Sequence, residues 1–224
     1  MYVVFLQILP LLLGAAISPV AATGMITVLA TSNKSTIVKG FVYLLGATIP
    51  LLLIGIPGIF LFSHIDFAPK NTVVSSWIDL VAGLVLLGLA VRVALKTKED
   101  KAKTTKPDLH HDQSYSKLIA LGVALMITNF STLVLFVPAV KDIAISSLDT
   151  AQKSILLIIS IVITLLMIFT PLLIFILLPK RSEKILSSLK SLINRHMREI
   201  TLSLLIVFGI YLLIKGFGVF GVKA

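Results

Sequence analysis

The sequence predicts an all-α integral membrane protein: six transmembrane helices arranged as two inverted three-helix repeats. Three observations predict it. The chain is 57% hydrophobic and only 13% charged, about half the charged fraction with which a soluble domain covers its surface. Six stretches are apolar over the roughly 20 residues needed to cross a hydrocarbon core. Polar breaks, prolines and glycines then recur in the same order in the two halves.

The six stretches are Val3–Ala30, Ile37–Phe62, Trp77–Leu95, Leu118–Val140, Ile155–Leu178 and Ile200–Val222. No Lys or Arg precedes Lys34, so the first stretch lacks the basic start of a cleavable signal and is expected to be retained. The first two stretches are longer than a span requires and contain internal Pro or Gly, so a tilt, kink or break is expected in each. The connections are short, the longest being Lys96–Lys117 and Pro179–Glu199. The predicted organisation is a first repeat at 1–95, a basic cytoplasmic loop at 96–117 and a second repeat at 118–224. Within the second repeat, Arg181–Arg198 has Ile185, Leu186, Leu189, Leu192, Ile193 and Met197 at helical spacing, with Lys184, Lys190, Arg195 and Arg198 between them. It is expected to be an amphipathic helix lying on the anionic inner leaflet.

Charge sets the orientation. Under six spans, 15 of the 20 basic residues fall on one side, in the first, third and fifth connections and at their edges. The other five are Lys70, Lys141, Lys153, Lys215 and Lys223. The positive-inside rule puts the 15 in the cytoplasm and both termini outside, in the plasma membrane. The net charge of +10 is thereby explained by topology, and no nucleic-acid partner is expected. With no cysteine, thiolate metal sites and thiol redox chemistry are excluded.

The halves match in order. Leu13-Gly14 precedes the break Ser18-Pro19, and Leu121-Gly122 precedes Thr128-Asn129. Ile49-Pro50 through Pro57 parallels Thr170-Pro171 through Pro179, and Gly83 and Gly88 parallel Gly209 and Gly216. Three helices per half make the second half enter from the opposite side. Inverted repeats with broken helices are a transporter arrangement.

Residues 13–58 carry a resemblance. The run Gly14 to Leu29 with its Ser18-Pro19, followed by Lys39 to Gly55 with the aromatic Phe41 and the Leu44-Leu45-Gly46 run, resembles the GAP-like, or Sap-like, branch of the LysE superfamily. The resemblance implies a six-helix exporter. Branches of that superfamily move amino acids, divalent metals or heavy metals, and the GAP-like branch is associated with moving glycolipids or peptidoglycolipids to the envelope. Related proteins often carry Asn-Pro in the fourth helix; here Asn129 is followed by Phe130, so a proline break is not expected there.

The candidate substrate-binding residues are Ser18, Pro19, Thr23, Thr128 and Asn129, expected to line one central cavity. A mid-helix proline frees the carbonyl four residues earlier, here that of Ala15, and in lipid that group needs a partner. Asn129, with Thr128, Ser131 and Thr132, brings an amide and hydroxyls into hydrocarbon, where they pair or line water. Each has a plainer explanation, a structural kink or a helix–helix hydrogen bond. Asp79 is the only carboxylate inside the predicted spans and so the candidate coupling residue. Against this, an acid in the first turn complements the helix dipole, and Ser75 or Ser76 would serve as N-cap. Arg92 and Lys215 are expected to snorkel to the interface, although a Lys215 facing the bundle could bind an anionic group. His110-His111-Asp112 is a weak metal signal in a solvated loop.

No phosphate loop, zinc-protease motif or nucleophile elbow occurs, so no enzymatic activity, cofactor or metal site is expected. The expected function is that of a membrane transporter or exporter moving a small solute or an amphipathic, lipid-like substrate by alternating access. The alternatives are a divalent metal-ion exporter of the same fold and a non-transporting membrane scaffold for envelope assembly. Membrane lipids are the expected surroundings, and homo-oligomerisation is left open.

Overall fold

The computed structural model describes residues 1–30, 35–64, 73–95, 114–179 and 181–221. Among these there are nine α-helices and no strand: α1 (Tyr2–Ala16), α2 (Pro19–Ala30), α3 (Thr36–His64), α4 (Val73–Leu95), α5 (Tyr115–Thr128), α6 (Phe130–Ala144), α7 (Thr150–Thr164), α8 (Leu166–Leu177) and α9 (Ser182–Gly221). Three of them, α3, α4 and α9, are each long and apolar enough to cross a membrane. The other six form pairs bent at short breaks, by 55° between α1 and α2, 76° between α5 and α6 and 64° between α7 and α8. Counting each pair as one span gives up to six. Leucines such as Leu53 and Leu177 stand about 70% exposed, as does Ile214. In water such a surface would aggregate; facing lipid it costs nothing. The chain is thus a multi-pass membrane protein.

The breaks fall where backbone chemistry is weakest. The first lies at Ile17-Ser18, ahead of Pro19, as expected from the missing N–H. The second lies at Asn129, whose φ of −84° and ψ of 68° leave the helical region. It is the sharpest of the three and involves no proline, in keeping with the polar break expected at Thr128-Asn129. The amide of Asn129 bonds the side chains of Ser18, Ser131 and Thr132, so the bend is tied to the first span across the bundle.

The bend in the fifth span was not expected. It falls at Leu165, after four consecutive β-branched residues, Ile161 to Thr164, which crowd the preceding turn. Pro171 then removes the N–H that would bond to the Met167 carbonyl. The counterpart α3 runs through Pro50 and Pro57 as one helix of 29 residues, so of the tilt, kink or break expected in the second span no break occurs.

Two further expectations are corrected. The segment 181–198 is not a separate surface helix: α9 continues without interruption from Ser182 to Gly221, 40 residues, or about 60 Å at 1.5 Å per residue. A helix lying flat on a leaflet would have to turn before entering the membrane. Here Leu186 and Ile193 are buried in the core instead, and Lys190 Nζ reaches Thr27 Oγ1 of α2 at 3.2 Å. And α4 begins at Val73 with no acid in its first turn, so Ser75 and Ser76 are not N-caps and Asp79 does not serve the dipole. The His110-His111-Asp112 triplet and most of the loop at 96–117 lie outside the described residues.

Glycines set two close helix contacts. A Cβ on Gly46 would collide with the Ile119 carbonyl, and one on Gly122 with the Tyr43 carbonyl, so α3 and α5 touch backbone to backbone. A Cβ on Gly83 would lie 2.9 Å from the Gly209 carbonyl, which joins α4 to α9. Helix α1 packs on α6 and α2 on α8, while α4 packs on α6 and α9 on α2.

Candidate functional site

The two breaks meet. Asn129 Nδ2 donates to Ser18 Oγ at 2.5 Å and to Thr132 Oγ1 at 2.7 Å, and Ser131 Oγ donates to Asn129 Oδ1 at 3.0 Å. Thr132 Oγ1 in turn donates to the Ala15 carbonyl at 2.8 Å. That carbonyl is the one Pro19 deprives of its helical partner, so a hydroxyl from the second half satisfies the defect of the first. The third bend joins the same point: the Ser18 backbone N–H donates to Met167 Sδ at 3.2 Å. Ser18 therefore touches both other bent pairs, 111 residues away at Asn129 and 149 away at Met167.

This joint is enclosed. Ser18 is 1% exposed, Asn129 9% and Thr132 0%. Tyr43, fully buried, donates from its hydroxyl to the Ala21 carbonyl at 3.0 Å and lies against Gly24, so α3 braces the start of α2. The N-termini of α2 and α6 and the C-termini of α1 and α5 all lie at the two breaks, so half-helix dipoles of both signs end at this depth.

Of the five residues singled out in sequence, Ser18, Pro19 and Asn129 come together at the joint. Thr23 is one turn on, its hydroxyl donating back to the Pro19 carbonyl at 2.8 Å. Thr128 does not join them: its side chain is exposed and bonds the carbonyls of Ala124 and Leu125 in its own helix. Thr132, noted only as part of a polar run, is the group that closes the hydrogen-bond chain. Met167 carried no signal in sequence, since a thioether in an apolar stretch reads as core.

A second polar cluster lies on α4, α6 and α9. Lys141 Nζ is 2.6 Å from Asp79 Oδ2 and 3.3 Å from Asp142 Oδ1, and donates to the Ser75 carbonyl at 3.2 Å. Lys215 Nζ is 2.5 Å from Asp142 Oδ2 and 3.4 Å from Asp79 Oδ2. Lys215 thus turns inward to two carboxylates, which corrects the expectation that it snorkels; Arg92, exposed in the last turn of α4, makes no such turn. Lys141 and Asp142 were missed because the fourth stretch was ended at Val140, one residue short of them, whereas α6 runs to Ala144. Adjacent opposite charges at the edge of an apolar run were the available signal.

The family model described as Sap, sulfolipid-1-addressing protein, matches residues 8–218. No curated protein and no solved structure matches the chain.

Proposed function

Because the chain belongs to the Sap, sulfolipid-1-addressing protein family, we propose that it is a membrane transporter that exports a lipid-like, amphipathic substrate by alternating access. The observation that carries this reading is the joint at Ser18 and Asn129, where a broken helix from each half ends on the other. Discontinuous helices that meet at mid-depth are where transporters build their sites. The family description names a sulfolipid, which favours a lipid over a small polar solute.

On this reading the six spans form two inverted repeats, in keeping with the LysE-type architecture. The packing supports that: exchanging the halves maps the α4–α6 contact onto the α9–α2 contact, and α2–α8 onto α6–α3, and each of these pairs is present. The joint is closed in the conformation described. Opening it exposes Ser18, Asn129 and the Ala15 carbonyl to a headgroup, which replaces the hydrogen bonds they give up. No residue is assigned a catalytic role; the chain moves its substrate without altering it.

The test is lipid movement in vesicles containing the purified protein and a fluorescent sulfolipid analogue, read as the fraction of label that changes leaflet. The unaltered protein is expected to accelerate it. Asn129→Ala and Pro19→Ala are expected to slow it by about tenfold, the factor equivalent to about 1.4 kcal/mol, while both variants still insert. Movement no faster than in protein-free vesicles would overturn the proposal.

A further inference from the structure

The four charges on α4, α6 and α9 are no part of the joint, and their arrangement is uneven. Two carboxylates face two ammonium groups, so the cluster is neutral as it stands. Lys141 is enclosed, its side chain 1% exposed, as is Asp79 at 5%. Lys215 is at the rim, with 27% of its side chain exposed. Lys141 is further tied to the Ser75 carbonyl; Lys215 is held by the carboxylates alone among its described bonds. Of the two cations, Lys215 is the one that can leave.

Both lysines are drawn to the same oxygen of Asp79, Oδ2. The other, Oδ1, is buried and has no hydrogen-bond partner among the described residues, and the same is true of Ser76 Oγ. Ser76 and Asp79 are three residues apart on α4 and so share a face of it. Gly216, next to Lys215, lets α9 approach α4 here: a Cβ on it would lie 3.1 Å from the Ser76 carbonyl. An orphaned carboxylate oxygen and an orphaned hydroxyl beside a removable ammonium are oxygen donors suited to a hard cation.

We infer that Asp79, Asp142 and the Ser76 hydroxyl form a monovalent-cation site in which Lys215 is a tethered occupant, exchanged for a proton or a sodium ion when α9 withdraws it. Without Lys215 the cluster carries one net negative charge in an enclosed place, and an uncompensated buried charge is strongly disfavoured. An external cation removes that charge. The groups facing the site are Lys141 and Asp142 from α6 and Lys215 from α9, with Tyr211 one turn before it. Lys153 of α7 bonds the Ala144 carbonyl just beyond, at 2.6 Å. Because α9 also touches α2 through Lys190 and Thr27, exchange at this end couples to the helix that begins at the joint.

The experiment is thermal unfolding of the purified protein in detergent, comparing the unaltered chain, Lys215→Gln, Lys215→Arg and the double variant Asp79→Asn with Lys215→Gln. Each is measured in sodium chloride and in choline chloride of equal ionic strength at neutral pH, and in choline chloride at acid pH. Lys215→Gln is expected to gain several degrees in its midpoint from sodium, or from acid, relative to neutral choline. The first outcome names sodium as the exchanging ion and the second names the proton. The unaltered chain and Lys215→Arg keep a tethered cation and are expected to show neither gain; the double variant is neutral again and is expected to lose it. A Lys215→Gln response equal to that of the unaltered chain would overturn the inference. So would a double variant that responds like the single one, or a Lys215→Gln protein that folds in none of the three media, since an external cation must be able to replace the ammonium. No substrate enters the measurement, so its outcome is separate from that of the lipid-movement test.

Discussion

Thr132 shows how one hydroxyl can serve two breaks. It accepts from Asn129 and donates to the Ala15 carbonyl, which Pro19 leaves without a helical donor. Thr132→Val keeps the shape and removes both bonds. It is expected to destabilise the protein by about 1–3 kcal/mol, the cost of a buried acceptor left unpaired, seen as a lower midpoint in denaturant. Thr128→Val provides the control. Its hydroxyl is exposed and serves only its own helix, so its effect is expected to be a small fraction of that. Equal losses in the two variants would mean that the joint is not held by this hydrogen-bond chain.

At the scale of elements, the glycine contacts differ in what they tolerate. Gly122 lies so close to the Tyr43 carbonyl that even one methyl group must push α3 and α5 apart. Gly122→Ala is expected to cost about 1–3 kcal/mol through overpacking. At Gly88 a methyl group would meet nothing within 4 Å, and Gly88→Ala is expected to be neutral or stabilising by up to about 1 kcal/mol. Both are read from detergent-denaturation midpoints. The continuity of α9 is tested by distance. Leu192 and Phe217 are both more than half exposed, so spin labels there should perturb little. On one straight helix their separation along the axis is about 38 Å at 1.5 Å per residue. A clearly shorter distance would mean that the amphipathic segment folds away from the span.

At the scale of the whole molecule, the three lysines assigned to the outer side that lie among the described residues are each engaged. Lys141 and Lys215 are paired with Asp79 and Asp142, and Lys153 is bound to a helix-terminal carbonyl. The proposed orientation, with both termini outside, rests on the 15-to-5 count of basic residues in the sequence. Cysteines placed at the exposed positions Lys117 and Ser147 test it in intact cells with a membrane-impermeant reagent. Ser147→Cys is expected to label at once and Lys117→Cys only after permeabilisation; the reverse pattern would invert the topology.

The sequence by itself determined what depends on composition and local chemistry. It settled a helical membrane protein, since nothing else accounts for long apolar stretches with so few charges. It located the breaks at Ser18-Pro19 and Asn129, because a missing N–H acts within one turn and a polar amide in an apolar run stands out in the sequence. Its resemblance to the Sap-like branch agrees with the family match. Tertiary structure decided what depends on residues far apart in the chain. That Thr132 caps Ala15, that Met167 meets Ser18 and that Asp79 pairs with Lys141 and Lys215 are contacts across 62 to 149 positions, and no local pattern records which side chain will face another. The continuity of α9 was decided the same way. Its first half is amphipathic, which suits a leaflet surface equally well, and packing of Leu186 and Ile193 against the core selects the continuous helix over an interrupted one.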